Sequence, residues 1–225
     1  MANFKIYPLH LGRVIRNEES PVVAFYLTDG KNHVMVDTGG TPADGVSKMP
    51  YYQDPGQTIE EKLAELNIDP ATVNIVINSH LHWDHMSNNH LFPNAKIYVQ
   101  RAEYLYACAP VPTQKWGFDL ERIIRTDWTL LDGDEEITEG LSVLLVGGHT
   151  PGSQCVLVDT EKGKCALTCD FITKYAQWEH EPKVAGDVYT DIIQYYQGLK
   201  KLEKACNYII PGHNYDVLKH KVLPC

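Results

Sequence analysis

The sequence predicts an α/β fold with helices packed outside central β layers, on three observations. Strand-like apolar runs fill the first 40 residues, later apolar runs alternate with helix-like segments, and each later run ends beside a residue able to do chemistry. At 225 residues a layered chain commonly stays undivided, so one domain over residues 1–225 is expected. Hydrophobic content of 44% with 22% charged residues sets disorder aside.

Taken in order, "FKIYPLHL", "VVAFYLTDG" and "HVMVDTGG" are strands separated by Gly, Asn and Asp, which predicts an antiparallel opening. "TIEEKLAELNIDP" is a helix: Thr58 and Glu61 form a capping box, Ile59, Leu63 and Leu66 share a face, and Pro70 is the stop. "VNIVIN" and "AKIYVQ" are short strands, "RAEYLYACA" a helix, and "APVPTQKWGFD" a loop. Strands return at "LSVLLVGG", "QCVLVDT" and "KCALTCD". Val188, Ile192, Tyr195, Leu199, Leu202 and Cys206, spaced by three and four, mark a long amphipathic helix before a last strand, "NYIIPGHN".

Several classes are excluded by composition. The N-terminus "MANFKIYPLHLGRV" lacks a basic region followed by an apolar run, and no window reaches the roughly 18 apolar residues of a membrane span, so a soluble cytoplasmic protein is expected. A net charge of −9 offers nothing to a phosphate backbone, which leaves a small-molecule substrate rather than nucleic acid as the partner. Cys108, Cys155, Cys165, Cys169, Cys206 and Cys225 include no C-x-x-C pair and are expected to be free buried thiols.

The stretch "INSHLHWDH" concentrates His80, His82, Asp84 and His85 directly after a strand. His80 and His82 share a face if the backbone is extended; a helix starting just after them turns Asp84 and His85 toward a neighbouring position. Four polar groups buried together without a cation would be hard to satisfy, and imidazole with carboxylate suits zinc, with iron or manganese as alternatives. His149 in "VGGHTPGS", Asp170 ending "ALTCD" and His213 in "IIPGHN" bring the set to seven. Asp170, with two oxygens, is the natural bridge. His10, His33, His90, His180 and His220 are expected to be structural.

"HLHWDH" resembles the H-x-H-x-D-H signature of the metallo-β-lactamase superfamily, and His149, Asp170 and His213 follow in the family's order over essentially the whole chain. The resemblance implies a four-layer αβ/βα sandwich, the metallo-β-lactamase fold, binding two divalent metal ions at one edge of its sheets. It assigns His80, His82 and His149 to one metal, Asp84, His85 and His213 to the other, and Asp170 to both. It also implies that Asp37 in "HVMVDTGG" orients a ligand histidine, against the plain reading of an Asp closing a strand. "SHLHWDHMSNNHLFPNAKIYVQRAEYLYA" and "GHTPGS" resemble the N-acyl-homoserine lactone lactonases. Two positions depart: Thr173 stands where those lactonases have tyrosine, with Tyr175 two further on, and Ser153 where many relatives have histidine.

The resemblance implies hydrolysis by a hydroxide formed between two metals, opening a lactone to a hydroxy acid. An amide, β-lactam or thioester hydrolase and a non-catalytic metal-stabilised binding protein are the alternatives. Asp84 is a candidate proton relay and Tyr175 a candidate oxyanion donor. Tyr51, Tyr52, Trp116, Phe171 and Trp178 are candidates to wall an apolar pocket, or to cover core or a homodimer interface. No Arg or Lys cluster is visible to hold a multiply charged acid.

Overall fold

The computed structural model describes residues 3–45, 49–186 and 188–224. It opens with β1 (Lys5–Ile15), β2 (Glu19–Thr28) and β3 (His33–Val36), paired antiparallel in succession. A short β4 (Tyr51–Tyr52) adds to the free side of β1. The capping box of Thr58 and Glu61 starts α1 (Ile59–Glu65) as expected. Its end precedes Pro70, because Asn67 takes a left-handed φ of 58° just past the last turn; Pro70 instead opens a 3-10 turn.

Next come β5 (Ile75–Ile77), α2 (Trp83–Met86), β6 (Lys96–Gln100) and α3 (Arg101–Cys108). The segment read as a loop contains a 3-10 helix over Pro112–Gly117, and α4 (Leu120–Arg125) follows it. β7 (Trp128–Leu131) and β8 (Glu135–Thr138) escaped the pattern reading. Both are edge strands, mostly half-buried or exposed, so they lack the clean alternation of a strand with one buried face.

β9 (Leu141–Leu145), β10 (Gln154–Thr160) and β11 (Gly163–Cys169) match their apolar runs, and α5 (Tyr175–Glu179) follows them. α6 (Ile192–Ala205) starts later than its periodicity suggests, because the Asp191 carboxylate accepts from Ile193 N and Gln194 N and caps it. Val188 is therefore left in the preceding loop, Cys206 caps the far end, and β12 (Tyr208–Pro211) completes the chain's strands.

Among the described residues the strands form two sheets, ordered β4-β1-β2-β3-β5-β6-β7 and β12-β11-β10-β9-β8. Alternation explains the layering. Val23, Phe25, Leu27, Val34 and Val36 face inward against Val143, Val156, Val158 and Leu167 of the second sheet. The intervening Ala24, Tyr26 and Met35 face outward beneath Ile59 and Leu63 of α1. On the other side, Cys155, Leu157 and Ala166 meet Tyr195, Leu199 and Leu202 of α6. Both faces of each sheet are thus covered, which gives the four-layer αβ/βα sandwich and explains why the central strands read as unbroken apolar runs.

Cys155, Cys165 and Cys169 are buried, whereas Cys108 and Cys206 are only half-buried, which corrects the expectation for those two; Cys225 lies outside the described residues. No helix among the described residues is long and apolar enough to cross a membrane.

Candidate metal centre

β3 runs parallel to β5, and β9, β11 and β12 run in one direction, so their C-terminal ends deliver Asp37, the 78–85 segment, His149, Asp170 and His213 to one edge. After β5 the chain leaves the sheet with a bend at Ser79 and is extended again at His82, the N-cap of α2, whose first residues carry Asp84 and His85. This change of geometry inside six residues sends one pair of ligand candidates to each of two places. At Asp170 the strand is broken: Cys169 has a left-handed φ of 46° and the register with β12 slips between Leu167 and Cys169. Gly212 permits the close approach, since a Cβ there would lie 2.8 Å from Cys169 Cα.

All seven candidates converge. His80, His82, His149 and Asp170 form one group and Asp84, His85 and His213 a second, each with donor atoms within 4.8 Å of one another. In the first group His80 Nε2 lies 3.0 Å from His82 Nδ1, and His149 Nε2 lies 3.2 Å from both. Tetrahedral donors about 2.05 Å from a zinc ion are about 3.3 Å apart, so the triangle has the size of one coordination face. Asp170 spans the groups: Oδ1 is 2.7 Å from His213 Nε2 and 3.0 Å from His85 Nε2, while Oδ2 is 3.5 Å from His149 Nε2.

Proton bookkeeping shows that these residues fit a cation. His149 Nδ1 donates to the Val188 carbonyl and His213 Nδ1 to the Pro21 carbonyl, which can only accept. The Ser79 hydroxyl donates to Asp37 Oδ2 at 2.8 Å, so it accepts from His80 Nδ1 at 3.0 Å. His85 Nδ1 meets the same Asp37 oxygen at 2.7 Å. His80 and His149, which burial holds neutral, therefore each turn a lone pair, not a proton, into the cluster, and His82 Nε2, His85 Nε2 and Asp170 Oδ1 are buried without a hydrogen-bond partner. Lone pairs facing each other at about 3 Å repel unless positive charge lies between them. Asp37 sits where the resemblance implied, against His85.

Electrostatics divide the two groups. Burial, reinforced by neighbouring imidazoles, holds His80 and His82 well below the usual histidine range, and burial lowers His149. For His85 and His213 burial acts the same way but is outweighed by Asp170, which raises both. Asp170 is itself held well below the carboxylate range: its burial is overcome by His213 and His85. Burial raises Asp84.

Sequence reasoning missed Glu103, which is 0% exposed. Its Oε1 accepts from Leu81 N at 3.0 Å, and its Oε2 from Thr150 Oγ1 at 2.6 Å and Gly152 N at 3.2 Å. One carboxylate thus ties the loop bearing His80 and His82 to the loop bearing His149. Ser153, a departure noted above, donates to Thr150 Oγ1 at 2.6 Å and supports the same knot. A glutamate in the first turn of a helix ordinarily reads as a solvated end, so no local signal marked it.

A cavity of about 360 Å³ opens over the cluster and reaches His82, Asp84, His149, Asp170 and His213. Val14, Met49, Trp116 and Val188 contribute apolar wall, and Thr173 and Gln177 polar wall. Of the five aromatic candidates Trp116 alone lines it. Tyr51 packs edge-on to Trp83, Tyr52 is exposed, Phe171 stacks on Tyr195 in the core, and Trp178 lies under Lys183. Arg16 and Lys174 also reach the cavity, Lys174 paired with Glu18, which sequence spacing did not foreshadow. Tyr175 is not brought to the cavity: α5 packs its ring against the apolar clusters of both sheets.

Residues 17–213 match the metallo-beta-lactamase superfamily. The chain belongs to that superfamily, and with this site it is a metal-dependent hydrolase. Within the superfamily it is similar to an N-acyl homoserine lactonase of Bacillus sp, 32% identical over 180 residues that cover 74% of this chain and 70% of that protein. Two solved structures share its fold at a TM-score of 0.84 and 24% identity, each covering 97% of this chain and 96% of the other. One is B. thuringiensis AiiA, as a mutant with N-decanoyl-L-homoserine bound at the active site. The other is an N-acyl homoserine lactone hydrolase with N-hexanoyl-L-homoserine bound at the catalytic metal center.

Proposed function

We propose that this protein opens the ring of a lactone, an N-acyl homoserine lactone or a close analogue, using two divalent cations, with zinc the best match to the nitrogen and oxygen donors. The observation that carries this reading is the convergence of seven donor side chains with Asp170 offering one oxygen to each group. His80, His82 and His149 would hold one ion and Asp84, His85 and His213 the other, with Asp170 within reach of both groups. When bound, such a pair makes water a nucleophile at neutral pH and polarises a carbonyl. The chain's own groups do the rest. Hydrogen bonds from the far ring nitrogens to Asp37, Ser79, Val188 and Pro21 fix the imidazoles. Asp84 faces the cavity and would relay the proton given up by the attacking water to the ring oxygen as it leaves. Val14, Met49, Trp116 and Val188 receive apolar substrate surface and exclude water.

The lactonase relatives support a lactone over an amide, β-lactam or thioester. The test is metal analysis of protein purified without added metal, joined to hydrolysis assays on lactones, thioesters and β-lactams. About two metals per chain and chelator-sensitive lactone opening are expected. Turnover of another ester class without lactone opening would overturn the substrate assignment, and two metals with no turnover would favour a binding protein.

A further inference from the structure

The cavity holds a polar side chain that the chemistry above does not use. Gln177 lies in the first turn of α5, where its Oε1 accepts from Thr173 N at 2.9 Å, Thr173 Oγ1 at 2.9 Å and Lys174 N at 3.0 Å. Two of these donors are backbone N–H groups, so the amide's orientation is fixed: oxygen toward the 173–174 turn, nitrogen away from it. The Thr173 hydroxyl is spent on the same oxygen. Gln177 Nε2 lies alongside Gly186, 3.3 Å from where a Cβ would stand, and Gln177 and Gly186 both line the cavity with Asp170 and His213. The acceptor half of the amide therefore caps a helix, and the donor half is left beside Gly186, another residue of the cavity wall.

We propose that the Gln177 carboxamide is a specificity residue whose N–H donates to a substrate carbonyl outside the ring, so that the preferred lactones carry an acyl-amide group. This rests on the lactonase reading. A donor locked by three bonds needs no reorganisation when it meets a carbonyl, and a substrate without that carbonyl leaves the donor unmatched.

Gln177→Glu separates the two halves. It keeps the acceptor on the 173–174 turn and replaces the donor by an oxygen; Gln177→Met removes both. The measurement is kcat/KM of wild type and variants on an N-acyl homoserine lactone and on an alkyl-substituted γ-butyrolactone of matched length without the amide, with metal content determined in parallel. The ratio of the two specificity constants is expected to fall about tenfold in Gln177→Glu, mainly through KM, with metal content unchanged, the size of one hydrogen bond of about 1.4 kcal/mol. Equal losses on both lactones, or an unchanged ratio, overturn the inference while leaving the lactonase reading intact. A wild type that opens neither lactone overturns both.

Discussion

Replacing Glu103 by glutamine exchanges one of two acceptor oxygens for an NH2 group at nearly constant shape. The carboxylate accepts three bonds, from Leu81 N, Thr150 Oγ1 and Gly152 N. The Thr150 hydroxyl can rotate, but the two backbone N–H groups cannot. Whichever way the new amide turns, one of Leu81 N and Gly152 N faces another donor in a site that is 0% exposed. A buried unsatisfied donor costs about 1–3 kcal/mol. For a chain of 225 residues, where each kcal/mol is worth about 2–4 °C, that lowers Tm by roughly 2–12 °C. The two loops so loosened carry His80, His82 and His149, whereas Asp84, His85 and His213 hang on α2 and β12 and on bonds to Asp37 and Pro21. The first group should lose about 10–100-fold in zinc affinity, the usual cost of a lost supporting bond, and the second less than about threefold. Calorimetry of the metal-free protein gives the stability change, and titration against a competing chelator resolves two affinities. Equal weakening of both sites, or a lower Tm with both affinities intact, would refute the view that Glu103 positions one triad.

Asp170→Asn and His82→Ala should each lose metal together with activity, the former by about 100-fold or more in kcat; activity persisting in metal-free protein would sink the proposed chemistry. Gly152→Ala places a Cβ 2.1 Å from Glu103 N, a backbone atom with nowhere to go. It should cost about 1–3 kcal/mol, read as a lower chemical-denaturation midpoint, and a neutral result would mean that the loop and α3 can separate freely. The Cys206 thiol is pushed up to about 11 by burial. Because the thiolate is the reactive form, residue-resolved iodoacetamide labelling of the native protein should be slow at Cys206 at pH 8 and accelerate as pH rises toward 11. Full labelling at pH 8, at the rate of an unstructured peptide, contradicts this. The same shift favours the folded state below the ordinary thiol range and ceases to do so as pH rises through about 11.

By itself the sequence determined the features that depend on neighbouring residues. Alternation in β2 and β3, the capping box of Thr58 and Glu61, and the change from extended chain to helix within His80–His85 are all local, and each was legible because period and spacing are enough to specify it. The ligand candidates were legible for a second reason: His149, Asp170 and His213 each stand at a strand end or glycine-rich turn, and the family resemblance supplied their order. Tertiary structure decided what depends on chain segments far apart. The edge strands β7 and β8 carry no period because pairing, not a buried face, defines them. Asp191 moved the start of α6 and so freed the Val188 carbonyl to hold His149. Packing withdrew Phe171, Trp178 and Tyr175 into the layers and left Trp116 at the cavity. Glu103 and Gln177 became visible only in three dimensions, because what distinguishes them from ordinary helix polar residues is which distant donors their oxygens meet. Spacing can name a ligand set, but a supporting hydrogen bond is a property of two segments brought together, and that is settled by folding.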